Sequence, residues 1–113
     1  MIQLPESVHA YFNAANDEQP DIFIAAFDVN AQVVDDNRAY KGLEAIDNWS
    51  KSDVFGPHVR FEMTDTSEHD GTYVVIASID GDFDKTNLPD PFLLKHTFKL
   101  EGGLIKQLHI SLP

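Results

Sequence analysis

Apolar residues in the first quarter of the chain recur at the spacing of a helix face. Four of them follow the i, i+3, i+4, i+7 pattern of one buried stripe: Val8, Tyr11, Phe12 and Ala15. The following Asn16-Asp17 can end this helix, and Pro20 fits the first position of a second one. The apolar stripe predicted for the second helix is made of Ile22, Phe23, Ala26 and Phe27.

The middle of the chain predicts a short strand and a third helix. Residues 31–34 (AQVV) form the strand, and residues 37–42 are expected to be irregular. The helix is indicated by three apolar residues at three-residue spacing: Leu43, Ile46 and Trp49. The strand therefore ends directly before Asp35 and Asp36, although aspartate is depleted in strands.

From residue 58 onward the apolar positions follow period two, which is typical of strands. The turn Asp70-Gly71 predicts a hairpin, and residues 73–79 are almost entirely apolar, as in a central strand. After a polar loop, the next strand places one row of residues on a single face: Phe92, Leu94, His96, Phe98 and Leu100. A turn and a last strand at residues 104–112 complete the pattern. The sequence therefore predicts an α+β fold, with three N-terminal helices packed on one face of a curved antiparallel sheet.

Composition and charge narrow the range of partners. The 113 residues have the hydrophobic (42%) and charged (24%) content of one globular domain, residues 1–113. The formal net charge of −11 repels phosphate backbones and anionic membranes, so we expect neither nucleic acid nor membrane as a partner.

Cysteine is absent, which excludes thiol catalysis and cysteine-bound zinc. No leader or long apolar run is visible, and we expect a cytoplasmic protein.

Three polar positions stand out because of the neighbours that the pattern gives them. His96 interrupts an apolar strand face, where a polar group needs a partner or a ligand. Tyr11 lies on the stripe of the first helix, and Asp35 with Asp36 follows the short strand. Each has a simpler explanation, because a histidine can be satisfied in the core, a tyrosine can serve packing, and paired aspartates can open a turn.

The order of short motifs along the chain resembles the nuclear transport factor 2-like superfamily, in particular its ketosteroid-isomerase-like and SnoaL-like polyketide-cyclase branch. These motifs are Tyr11-Phe12-x-Ala14-x-Asn16, Phe27 closing the second helix, Ala31-x-Val33-x-Asp35, Gly42-x-x-Ala45-Ile46 and Gly102-Gly103-x-Ile105. The resemblance implies a cone-shaped, cystatin-like fold whose bent sheet encloses an apolar pocket. It also implies a homodimer through the outer sheet face, which here would include Lys95, Thr97 and Lys99.

The same resemblance implies catalytic roles. In the isomerases a carboxylate on the short strand removes a proton next to a carbonyl, and two donors stabilise the enolate. The matching residues are Asp35 as the base, with Tyr11 and His96 as the donors. The residues expected to line the pocket and contact the substrate are Trp49, Phe61, Phe98 and Asp36.

Two departures from the isomerase pattern leave the reaction open. His96 stands where isomerases have aspartate, and Asp36 stands where they have proline, so either Asp35 or Asp36 could face the pocket. An aspartate opposite a histidine suits an isomerase, a dehydratase or an aldol-type cyclase. We expect a small hydrophobic carbonyl compound as substrate and no cofactor. The alternative is a non-catalytic binding protein or a dimeric interaction module with the same fold.

Metal chemistry is not expected. Residues 80–91 begin like a calcium-binding loop, but Lys85 replaces the required glycine and Pro91 replaces the final glutamate. The five histidines show no tight spacing of the kind that metal ligands have, so we expect no metal site.

Overall fold

The helices follow the apolar stripes of the sequence. In the computed structural model, which describes residues 2–113, α1 spans Glu6–Asn16, α2 spans Pro20–Ala25 and α3 spans Leu43–Ser50. Pro20 occupies the first turn of α2, where its missing N–H costs no hydrogen bond. A π-helical turn, Lys51–Phe55, continues directly from α3. The prediction of three helices is confirmed.

Six strands form one sheet. They are β1 (Phe27–Asp35), β2 (Arg38–Lys41), β3 (Arg60–His69), β4 (Thr72–Asp80), β5 (Leu93–Glu101) and β6 (Leu104–Ser111). Their order across the sheet is β2-β1-β6-β5-β4-β3. All neighbours are antiparallel except β1 and β6, which are parallel. The prediction of a purely antiparallel sheet is therefore wrong at this one pair. No hairpin joins β1 to β6, so no tight turn fixes their relative direction.

The segment between α2 and α3 also differs from the prediction. Phe27 begins β1 instead of closing α2, and the stretch expected to be irregular contains β2. Asp36 and Asn37 have positive φ angles of 51° and 62° and form a two-residue turn, in which Asp35 pairs with Arg38. Two positive φ angles match the twist of the flanking strands, so the turn makes a tight hairpin.

Register shifts bend the sheet around the core. They occur in β1 between Phe27 and Gln32, in β3 between Met63 and Asp65, and in β5 beside Lys99. Such shifts increase the local twist and curvature of a sheet. The three helices lie on the inner face, where a cluster of large side chains is completely or almost completely buried: Tyr11, Phe12, Phe23, Phe98, Ile46, Ile105 and Leu108.

The outer face of the sheet is mixed in character. In one row across it, Val34, His109, Thr97 and Val74 are neighbours on adjacent strands. The prediction of a homodimer through this face stays a prediction.

Among residues 2–113, no helix is both long enough and apolar enough to span a bilayer.

Candidate functional site

A cavity of about 640 Å³ opens between the β1–β2 turn, the π-helical turn and the inner face of the sheet. Its lining includes six of the seven residues that the sequence suggests for a site: Tyr11, Asp35, Asp36, Trp49, Phe61 and His96. We call the end formed by Tyr11 and His96, which are completely buried, the inner end. The end where Asp35, Asp36 and Asp53 approach solvent is the mouth.

Phe98 is placed outside the lining, which corrects the expectation that it contacts a ligand. Phe98 lies on the same strand face as His96, and both side chains are completely buried. The Tyr11 ring packs edge-on against Phe98 with 5.4 Å between ring centroids. Phe98 therefore supports the inner end from behind instead of facing the cavity.

His96 lies among aromatic rings at the inner end. The ring centroids of Phe12, Phe61 and Tyr11 are 5.2, 5.5 and 6.0 Å from that of the imidazole. Neither ring nitrogen has a hydrogen-bond partner among the described residues. Burial lowers the pKa of His96 to about 4; backbone groups of Val75 and Leu94 lie near enough to raise it in part, but neither is in hydrogen-bond geometry with a ring nitrogen. The imidazole is therefore neutral near pH 7, with one N–H to donate and one nitrogen to accept.

Tyr11 presents the second polar group at the inner end. Its hydroxyl is buried and has no hydrogen-bond partner among the described residues. Burial raises the pKa of Tyr11 far above its usual range, and the nearby charge of Asp35 raises it further. The hydroxyl therefore stays protonated and can donate.

These unpartnered groups make the inner end costly for the folded state. A buried polar atom without a partner costs about 1–3 kcal/mol, and such atoms are rare in native proteins. Here the Tyr11 hydroxyl and both nitrogens of His96 occur together on one cavity. That combination is expected where a ligand supplies the missing partners.

Asp35 is the carboxylate that faces inward. It ends β1, is half-buried, and accepts a hydrogen bond of 3.1 Å from the indole N–H of Trp49. Burial raises the pKa of Asp35; the Trp49 bond acts against this, while the charges of Asp53 and Asp36 raise the pKa further. A raised pKa makes the carboxylate a stronger base.

Asp36 has a different position from its neighbour. It is exposed at the tight turn, with a φ of 51°, and reaches the cavity only at the mouth. Asn and Asp tolerate this left-handed conformation better than most residues. The turn explanation therefore holds for Asp36, whereas Asp35 belongs to the strand.

The sequence reasoning missed the π-helical turn and with it Asp53, which also lines the mouth. The Ser52 hydroxyl, with one O–H to donate, lies within hydrogen-bond distance of two acceptors in this turn, the carbonyl of Trp49 (3.1 Å) and the carboxylate of Asp53 (2.9 Å). At Gly56, which follows the turn, a Cβ atom would lie 2.7 Å from the carbonyl oxygen of Lys51. The glycine was the available signal, because it marks a close approach of two backbone segments.

The described residues contain no group of three or more His, Cys, Asp or Glu side chains placed to hold a metal ion. The three carboxylates at the mouth therefore do not form a ready-made cation cage. What the cavity offers instead is one base, two neutral donors and an aromatic wall.

No protein-family model matches the chain, and no curated protein matches it. Solved structures do. A proposed polyketide cyclase from Sinorhizobium meliloti is 25% identical, with 96% of this chain and 95% of that chain covered and a TM-score of 0.85. An NTF2-like protein of unknown function from Cytophaga hutchinsonii is 16% identical, with 100% and 95% covered and a TM-score of 0.73.

A third solved structure is a protein with a ketosteroid isomerase-like fold from Catenulispora acidiphila, in complex with trimethylamine. It is 19% identical to this chain, with 96% of this chain and 86% of that chain covered and a TM-score of 0.75. This chain therefore has the fold of the nuclear transport factor 2-like superfamily, and its resemblance to the SnoaL-like and ketosteroid-isomerase-like branch is confirmed.

Proposed function

We propose that this protein is a cofactor-independent enzyme that removes a proton from the carbon next to the carbonyl of a small, largely apolar compound. One observation carries the proposal. The buried hydroxyl of Tyr11 and the ring of His96, both without partners, share a cavity with the half-buried carboxylate of Asp35. A base and two hydrogen-bond donors on one cavity are the groups that enolate formation requires.

The proposed step begins with the substrate carbonyl at the inner end. Asp35 takes the proton from the adjacent carbon, and the electron pair of that C–H bond moves to the carbonyl oxygen. The O–H of Tyr11 and the N–H of His96 donate to the enolate oxygen that forms. Protonated Asp35 then returns the proton to another atom of the substrate, which completes an isomerisation or assists a dehydration. In an aldol-type cyclisation, the enolate carbon instead attacks a second carbonyl, whose π electron pair moves to its oxygen, and protonated Asp35 gives its proton to that oxygen.

The protonation states of Tyr11, His96 and Asp35 suit this step. With a pKa of about 4, His96 is a neutral imidazole near neutral pH and has one N–H left to donate, while the raised pKa of Tyr11 keeps its O–H protonated. They can therefore stabilise negative charge that develops on oxygen without transferring a proton to it first. The raised pKa of Asp35 reduces the difference in proton affinity between the base and the carbon acid.

The volume and the comparisons support a small-molecule site. A cavity of about 640 Å³ lies within the range of about 300–1,000 Å³ that small ligands occupy. An interior filled by side chains would have favoured a pure interaction module instead. The similarity to a proposed polyketide cyclase supports chemistry on carbonyl compounds, and the trimethylamine complex supports small-molecule binding in this fold.

Proton exchange tests the shared first step without requiring the natural substrate. Phenylacetone and 2-cyclohexenone in D₂O should lose their α-proton NMR signals faster with the protein than without it. Asp35→Asn should slow this exchange about 10²–10⁴-fold, and Tyr11→Phe about 10²-fold. The control is Glu62→Gln, which removes one exposed carboxylate outside the cavity. Exchange at the wild-type rate in Asp35→Asn, or none with the wild-type protein, would contradict the proposal.

A further inference from the structure

The charged groups of the cavity have one sign. Asp35, Asp36 and Asp53 line it, whereas no lysine or arginine of the described residues does. His96 contributes no positive charge near neutral pH, because burial keeps it neutral. The carboxylates are close enough for the charges of Asp53 and Asp36 to act on Asp35. The field in the cavity is therefore negative and repels anionic ligands.

Some carboxylates elsewhere on the chain have a basic partner, whereas others, such as Glu62, have none in the described part of the chain. The pairs are Asp28 and Glu101 with Lys106, Asp47 with Lys51, Asp80 with Lys85, Asp70 with His69, and Glu18 with Arg60 and His58. Among residues 2–113, no such partner is bonded to the three carboxylates of the mouth. Arg38, which faces Asp35 across the β1–β2 hairpin, is exposed and makes no ion pair with it. The mouth thus has uncompensated negative charge in a chain with only 8 Lys and Arg residues.

We propose that this cavity selects a cationic ligand, an amine carried on an apolar body, with the ammonium group held between Asp36 and Asp53. Acidic side chains alone would not mark a site. The second observation is that the completely buried Tyr11 and His96 leave polar atoms without partners on the same cavity.

The rest of the lining fits such a ligand. Trp49, Phe61, Phe83 and Phe92 contribute aromatic surface for the apolar body. The Phe83 ring already has the Lys85 ammonium 5.6 Å from its centroid, so the ring faces that could bind a ligand's ammonium group are those of the other three. This inference rests on the proposed function and sharpens it. The substrate carbonyl would lie at the inner end, the acidic C–H at Asp35 and the cation at the mouth.

Three probes with one skeleton and different charge test the preference: 4-phenylbutylamine, 4-phenylbutanol and 4-phenylbutanoate. Titration calorimetry at pH 7 and low salt should give a Kd for the amine roughly tenfold below that of the alcohol, with the carboxylate weakest. The preference for the amine should shrink as salt is added, because ions screen the charges at the mouth. Equal binding of amine and alcohol, tighter binding of the carboxylate, or binding of none of the three would overturn the inference.

Matched variants locate the preference. Asp53→Asn and Asp36→Asn should each reduce the ratio of the alcohol Kd to the amine Kd several-fold. Glu62→Gln changes the net charge equally but lies outside the cavity, so it should keep the wild-type ratio. An undiminished ratio in both aspartate variants would show that overall charge, and not the mouth, attracts the amine, and would also overturn the inference.

The two proposals fail in different ways. Preferential binding of the amine, with no proton exchange on any ketone, would refute the enzymatic step and leave the cation preference standing. Exchange on neutral ketones, with no preference for the amine, would refute only the cation preference.

Discussion

The polar groups at the two ends of the cavity lie in opposite environments. At the inner end, Tyr11 and His96 are completely buried among aromatic rings and their polar atoms have no partners. At the mouth, Asp35 accepts a hydrogen bond from Trp49, and Asp36 and Asp53 are exposed to water. The polar residues at one end are buried and neutral, whereas those at the other are partly or fully exposed and carry negative charge.

Because of this difference, we expect the inner end to affect mainly the stability of the fold and the mouth to affect mainly the pKa of the base. At the inner end, burial fixes the protonation states, and the folded state bears the cost of the missing hydrogen bonds. At the mouth, the charges act mainly on one another and are largely screened by water. Removing polar atoms from the inner end should therefore stabilise the fold, while changes at the mouth should move a pKa and leave stability almost unaltered.

Replacing His96 by leucine should have the largest effect, and it should depend on pH. In the unfolded chain histidine titrates near 6.5, whereas burial lowers the pKa of His96 in the fold to about 4. Between these values the unfolded state takes up a proton that the folded state excludes, so stability falls as the pH drops. The difference between these two pKa values corresponds to about 3 kcal/mol of folding stability that is lost on acidification.

Urea unfolding at pH 7 and pH 4 measures this contribution. Because all other groups titrate alike in both proteins, the wild type should lose about 3 kcal/mol more than His96→Leu between these values. Equal losses would mean that His96 accepts a proton in the fold, and the inner end would then not be a neutral site.

The sequence predicted the inner end better than the mouth. Tyr11 and His96 both line the cavity; period two singles out His96 as a polar group on an apolar strand face, whereas Tyr11 was assigned to the pocket by the family resemblance. The same alternation could have decided between the two aspartates, since Ala31 and Val33 are buried and Asp35 follows in their register. Asp36 lies beyond the strand, in a turn. The sequence of residues 37–42 did not indicate the backbone conformation of that turn.

The remaining errors arise from contacts between distant parts of the chain. The parallel pairing of β1 with β6 joins residues about 75 apart, which no local pattern encodes. Asp53 reaches the mouth through a π-helical turn, for which periodicity gives no signal. Phe98 shares the face of His96, and only the packing of Tyr11 onto it shows that it lies behind the cavity.

Tyr11→Phe should also stabilise the fold, by a smaller amount. It removes only the unpartnered hydroxyl and keeps the ring among Phe12, Phe23 and Phe98, so the free energy of unfolding should rise by about 1 kcal/mol. Thermal and urea unfolding measure this, with Tyr73→Phe as a control at a half-buried position. A Tyr11→Phe variant less stable than the wild type would show that the hydroxyl has a partner in solution.

The smallest effects are expected at the mouth, and they should have opposite signs. Trp49→Phe removes the hydrogen bond that lowers the pKa of Asp35, so that pKa should rise; Asp53→Asn removes a charge that raises it, so the pKa should fall. Because the base must be ionised, the acid limb of the proton-exchange rate should move to higher pH in the first variant and to lower pH in the second.

Carbon-detected NMR titration of the Asp35 carboxyl would report these values directly, with Glu62→Gln expected to leave them unchanged. Opposite displacements would establish that neighbouring groups tune the base at the mouth, in contrast to the inner end, where burial is the largest cause of the pKa shifts of both residues. If neither variant moved the titration, desolvation would govern Asp35 as well. The two ends would then differ only in how much water reaches them.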